Sequence, residues 1–168
     1  MNPKLDLFDA LKARIQSEIP EIKTFRLYNN QFAKEGVEKA FPFPALMVEF
    51  VDLNYTAKSE SLQEADVNVV FHLAFASLKT EDRAVFELAQ KVNQSLQGFF
   101  GVDLFSPLNR KREQQDTDHD GVIIWRLEYT TLLSDNTANR KRRLILMTTD
   151  VELEIDKDAA APFLKQSE

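Results

Sequence analysis

The chain has no cysteine, which removes disulfides, zinc–thiolate centres and cysteine nucleophiles from consideration. Glycine is nearly as sparse. The four glycines, Gly36, Gly98, Gly101 and Gly121, are scattered, whereas a loop that cradles phosphate needs several close together. No Gly-x-Ser-x-Gly elbow occurs. Histidine is limited to His72 and His119, with no His-Glu-x-x-His pair. No apolar run approaches the roughly 20 residues that a membrane helix requires. The N-terminal stretch carries acids and no apolar block, so it does not read as a secretory signal.

What is present is the material of an ordinary core. The 168 residues are 43% hydrophobic and include 13 Phe, enough for one domain with a sizeable interior. The net charge of −6 and a pI near 5.1 argue against whole-domain affinity for nucleic acid.

Period and punctuation give the order of elements. Asn2-Pro3 starts a helix, with Leu5, Phe8, Leu11 and Ile15 on one face and Pro20 as its stop. Ile22 to Tyr28 reads as a strand, and Asn29 to Gly36 as a loop. Phe41-Pro42-Phe43-Pro44 is extended, because each proline steers the residue before it away from α; it packs ahead of a core strand, Ala45 to Val51. A polar stretch, Asp52 to Glu64, precedes a strand with two distinct faces. Val67, Val69, Phe71, Leu73 and Phe75 form the apolar face, and Asp66, Asn68, Val70, His72 and Ala74 the mixed one. This asymmetry suits a sheet covered by helices on one side.

Thr80 is the expected N-cap of a second helix bearing Val85, Ala89, Val92, Leu96 and Phe99, which Gly98 and Gly101 terminate. A strand within Leu104 to Gln115 then turns and returns as Val122 to Leu133, with Ile123, Trp125, Leu127, Tyr129 and Thr131 on one face. After a break at Ser134 to Asn139 a long alternation begins. Ile145, Met147, Val151, Leu153 and Ile155 face one way; Leu144, Leu146, Asp150, Glu152, Glu154 and Asp156 face the other. As a strand, residues 143–156 span ~45 Å at ~3.3 Å per residue, so the segment bends or projects as an arm. The expected organisation is a single α+β domain: a core over 1–139, a C-terminal strand or arm over 140–156, and a fraying tail over 157–168.

The turn before the last strand contains Asp116, Asp118, Asp120 and Gly121, which match positions 1, 3, 5 and 6 of a calcium loop. Position 12 is Leu127, not a bidentate glutamate, and the residues after Gly121 alternate as a strand. The turn therefore reads as a solvated tip between antiparallel strands, with His119 beside its carboxylates. A calcium-dependent binding module built on Asp116, Asp118 and Asp120 is the alternative. A hydrolase using His72 or His119 lacks a partner nucleophile or second base in sequence. Two basic runs, Arg110-Lys111-Arg112 and Arg140, Lys141, Arg142 and Arg143, read as charged sheet edges, or as one patch if their strands are neighbours. The carboxylates Asp150, Glu152 and Glu154 oppose them in sign, which allows copies of the chain to pair head to tail.

Several segments together resemble the tail terminator (tail completion) proteins of long-tailed bacteriophages and prophages, in the version common in phages of Bacteroides-like bacteria. They are the N-terminal helix, Arg26 to Gln31 (RLYNNQ), Phe41 to Glu49 (FPFPALMVE), Asp66 to His72 (DVNVVFH) and Arg112 to Asp120 (REQQDTDHD). The resemblance spans roughly residues 4–133, and residues 140–168 depart from the pattern. It implies a mostly antiparallel sheet with two main helices packed on one face. It further implies a non-enzymatic subunit, made in the bacterial host cytoplasm and located in the virion tail. Such a subunit needs no cofactor and no metal. Its copies form a ring, usually of six, that caps the tail tube protein and meets the head–tail connector protein. DNA contact is at most weak and non-specific, and no membrane is involved. The interaction residues expected are Arg140, Lys141, Arg142, Arg143, Asp150, Glu152 and Glu154.

Millimolar calcium is expected to leave the melting temperature almost unchanged, since a ligand stabilises only as RT ln(1 + [L]/Kd). A rise of several degrees that Asp116→Ala abolishes promotes the calcium-module reading instead.

Overall fold

The computed structural model describes residues 2–33, 40–76, 80–117 and 121–137. The expected C-terminal strand or arm, the basic run Arg140 to Arg143, the carboxylates Asp150, Glu152 and Glu154, and the tip residues Asp118, His119 and Asp120 lie outside them.

Helix α1 runs Pro3–Glu18, with the Asn2 side chain accepting a hydrogen bond from the Leu5 N–H at 3.4 Å. Its buried residues are Pro3, Leu7, Leu11 and Ile15. The expected stripe needs one correction: Leu5 is 52% exposed, and Leu7 takes its place in the core. At about 100° per residue, Leu5 sits about 120° from Leu11 around the axis, outside the arc that Leu7, Leu11, Ile15 and Phe8 span.

Strand β1 is Thr24–Leu27, shorter than the expected Ile22 to Tyr28. The stretch after it, expected to be loop, contains a 3-10 turn at Gln31–Ala33. Strand β2 is Ala45–Ala57 and β3 is Gln63–Ala76. The polar stretch expected between them is therefore mostly strand. Residues beyond Asp52 pair with residues before Asn68, from Leu53↔Val67 to Ala57↔Gln63. This outer half of the hairpin is largely exposed. Hydrophobic alternation marks only strand that is half-buried, so a solvated ladder leaves no such trace. Backbone bonds from Lys58 and Ser59 N–H to the Leu62 carbonyl close its turn.

Helix α2 is Asp82–Leu96. Its N-cap is Glu81, which makes no side-chain cap; the expected cap, Thr80, instead donates its hydroxyl to the Ala76 carbonyl at 2.9 Å. Val85, Ala89, Val92 and Leu96 are buried as the helical spacing requires. Gly98 stops the helix at φ +76°, a left-handed conformation that favours glycine, and its N–H reaches the Leu108 carbonyl at 2.8 Å. Strand β4 is Asn109–Asp116 and β5 is Val122–Asp135.

The five strands lie in the order β1-β2-β3-β5-β4. β1 runs parallel to β2, and every other pairing is antiparallel. β3 sits at the centre, matched from Gln63↔Asp135 to Ala76↔Val122 with β5 and from Ala45↔Ala74 to Ala57↔Gln63 with β2. Its expected apolar face holds: Val67, Val69, Phe71, Leu73 and Phe75 join Leu7, Leu11 and Ile15 of α1, Val85, Leu88 and Val92 of α2, and Leu127 and Tyr129 of β5 in one core. Both helices thus pack on the same sheet face, as expected for this α+β architecture. Arg14 ties them together, bonding the Ser95 carbonyl at 3.1 Å and lying over the Phe99 ring.

Phe71→Ala should destabilise by about 3–5 kcal/mol, the usual range for an emptied aromatic site in a core. Tyr129→Phe, which removes the hydroxyl donor to Asn93 Oδ1 at 3.0 Å, should cost about 1 kcal/mol. Leu132→Ala, at an exposed position, should fall within about 0.5 kcal/mol of the parent. Urea midpoints check the ranking, and an equal loss at Phe71 and Leu132 would refute this description of the core.

Candidate interaction surface

Period 2 along β2, β3 and β5 puts Met47, Glu49, Asn68, Val70, His72, Ala74, Ile124, Arg126 and Glu128 on the face away from the helices. The described residues clad only part of this face. Phe32 packs on Met47, Ala74, Val122 and Ile124, with Tyr28, Phe41 and Phe43 around them. The rings form a chain: Tyr28 to Phe32 at 5.8 Å, Phe32 to Phe41 at 5.9 Å, and Phe41 to Phe43 at 5.2 Å. The Phe-Pro-Phe-Pro run therefore covers sheet, as its reading as packing ahead of a core strand requires. Thr24 anchors it by donating its hydroxyl to the Pro42 carbonyl at 2.8 Å.

His72 stands where the cladding ends. Its ring is 4% exposed and stacks against Tyr28 at 3.8 Å and 14°. Nε2 lies 2.9 Å from Glu49 Oε2, and Nδ1 has no hydrogen-bond partner among the described residues. Two influences compete on this imidazole. Burial pushes its pKa below the ordinary value, whereas the Glu49 carboxylate pulls it up. Burial prevails because Tyr28 seals the ring from water, while the Glu49 side chain is itself 36% exposed and its field is screened. A nearby Arg126 adds in the same direction as burial. Burial, followed by the Glu49 charge, pushes the Tyr28 phenol upward. No nucleophile joins His72 and Glu49 in this cluster, and the arrangement is that of a paired structural histidine.

Beyond His72 no described residue covers the face. A shallow hollow of about 150 Å³ is lined by Val51, Asn68, Val70, Lys111, Arg126 and Glu128. Arg126 lies 3.7 Å from Glu128, and its Nε has no partner among the described residues. The hollow leads to β4, the last strand of the sheet. There Arg110 bonds Glu113 at 2.7 Å, and Glu113 also accepts from Trp125 Nε1 at 2.6 Å. Lys111 and Arg112 are exposed and have no ion pair among the described residues. The basic run at 110–112 is thus a sheet edge, one of the two readings its sequence allowed. Whether the run at 140–143 joins it lies outside the described residues.

Asp116 is the final residue of β4, opposite Ile124, so it belongs to a strand and not to an open loop. Among the described residues no group of three or more acids and histidines gathers in a metal-binding arrangement. No described helix is long and apolar enough to cross a membrane. Sequence reasoning missed Arg126, Glu49 and the Phe86–Trp125 pair. The pairing of His72 with both Met47 and Arg126 was the signal, but it becomes readable only once the register is known.

No family model matches the chain, and no curated protein does. Among solved structures it is similar in fold to a chain of the virion of a native gene transfer agent particle. That similarity has a TM-score of 0.53 at 10% identity and covers 76% of this chain and 94% of that one.

The His72 shift has a definite sign. A neutral buried histidine contributes stability that is present above the unfolded value of about 6.5. It is lost as pH falls through the depressed folded value, because the unfolded chain binds a proton that the folded chain refuses. Urea midpoints should therefore decline from pH 7 to pH 5, and His72→Gln should flatten that decline. An NMR titration placing His72 above 6.5 would mean that Glu49, not burial, governs the ring.

Proposed function

We propose that this chain is a tail terminator: a non-enzymatic virion protein whose copies form a ring that caps the tail tube and meets the head-side connector. The observation that carries the reading is the likeness of fold to a gene transfer agent virion chain, which extends over 94% of that chain. The resemblance of residues 4–133 to tail terminators, seen in sequence, supports it independently of that likeness. So does the surface. A ring subunit needs faces and edges to give to neighbours, and this sheet has a half-clad face, a basic terminal strand and a hairpin that overhangs the core. The partners in this reading are other copies of the chain, the tube protein and the connector protein, and its place is the virion tail.

The test is genetic and visual. Particles assembled without the protein should carry tail tubes of uncontrolled length that do not join heads, as seen by negative-stain electron microscopy. Tails of normal, uniform length, joined to heads, would contradict the proposal.

A further inference from the structure

The outer edge of β4 is flanked by two unlike surfaces. On the helix side, a cleft of about 270 Å³ is lined by Asp82, Val85, Phe86, Gln115, Ile123 and Trp125. Phe86 is 56% exposed there and meets Trp125 edge to face at 5.3 Å. On the opposite side, Lys111 borders the hollow that holds Arg126, and Arg112 pairs across from Glu128, with no ion pair of its own among the described residues. An added strand therefore needs an apolar face and an acidic face to fit.

Residues 144–156 have that pattern. Over 150–156, Val151, Leu153 and Ile155 alternate with Asp150, Glu152, Glu154 and Asp156; ahead of them Ile145 and Met147 extend the apolar face, Leu144 and Leu146 share the other, and no Lys or Arg interrupts the segment. We propose that this segment of one copy adds as a strand to the outer edge of β4 in a second copy. Its apolar residues lie over the Phe86–Trp125 cleft, and its carboxylates face Lys111 and Arg112.

The donor is taken to be a second copy because the tail-terminator reading requires self-association, and the described end of β5 does not itself meet the outer edge of β4. The last residues of β5 pair with β3 on one side, through Ala65↔Leu133 and Gln63↔Asp135. On the other side they meet residues 104–106: Ser106 N–H bonds the Leu132 carbonyl, Ser134 N–H bonds the Leu104 carbonyl, both at 2.8 Å, and Phe105 bridges to Leu133. Residues 104–106 thus stand beside the end of β5, on the side that β4 occupies farther back along the strand. A contact between two different surfaces of identical subunits closes into a ring or grows as a filament. The proposal deepens the tail-terminator reading by naming the contact between subunits, and it rests on the self-association in that reading.

The test uses the full chain in sedimentation velocity over a range of concentrations, followed by native mass spectrometry. The parent should self-associate, and less so as salt rises. Lys111→Glu with Arg112→Glu, and separately Glu152→Lys with Glu154→Lys, should each weaken association at least about tenfold. Melting temperatures taken at concentrations where the parent is monomeric should be unchanged, since the acceptor charges are exposed. An equimolar mixture of the two double variants should recover association, with the two masses alternating in each assembly. Phe86→Ser should weaken association without affecting that recovery by charge.

A parent that stays monomeric, double variants that associate like the parent, or a mixture that recovers nothing would each overturn the proposal. Tail length in particles lacking the protein decides the virion reading separately, so either can fail without the other.

Discussion

β3 is the strand on which the rest of the structure depends. It is paired along its whole length with β5 and from Gln63 to Ala74 with β2, and its period-2 alternation separates two environments. The odd-numbered positions from Val67 to Phe75 are apolar and draw both helices onto one face. The even-numbered positions mix Asn68, Val70, His72 and Ala74, and that face receives only a partial cover. A one-residue slip of register would turn the apolar set to water and the polar set into the core, so the pairing is strongly specified. The position of every surface described above follows from that register.

The half-clad face has a physical boundary. Apolar cover is possible over Met47, Ala74, Val122 and Ile124, where Phe32, Phe41 and Phe43 settle. It stops at His72, whose ring must keep its hydrogen bond to Glu49 and accept Tyr28 as a lid. Farther on, Arg126, Glu128 and Lys111 would lose hydration under an apolar cover without gaining enough partners. The remaining surface is therefore polar, shallow and continuous with the basic edge of β4. A face of this kind suits contact with a charged neighbour better than the enclosure of a small ligand.

Much of this architecture was legible in the sequence, for reasons that also explain the failures. The two faces of β3 and β5 and the buried set of α2 are consequences of burial, and burial leaves a period; the start of α1 at Asn2-Pro3 is a capping signal that local sequence carries by itself. The outer half of the β2–β3 hairpin leaves none, because its ladder is held by backbone bonds in water. Thr80 was a reasonable cap by residue type, but its hydroxyl bonds the Ala76 carbonyl instead, a competition that local sequence does not decide. Of the acidic turn that nearly matches a calcium loop, Asp116 closes β4, while Asp118 and Asp120 lie outside the described residues. The cluster of Tyr28, Glu49, His72 and Arg126 draws on four separate segments, and only register and packing bring them together. The charges foreseen as interaction residues at 140–154 lie outside the described residues, while Lys111 and Arg112, read from sequence as sheet-edge charges, stand on the terminal strand β4.

The central proposal is assembly through the β4 edge, which the described residues leave uncovered. Hydrogen exchange, read segment by segment in dilute and in concentrated solutions of the full chain, tests it most directly. The account predicts that β3 amides exchange slowly in both, as the centre of the sheet should. The β4 amides that point away from β5, within residues 109–116, should exchange fast when dilute and slow on assembly, together with those of residues 144–156. Protection that arises on assembly elsewhere, with β4 unchanged, would contradict it.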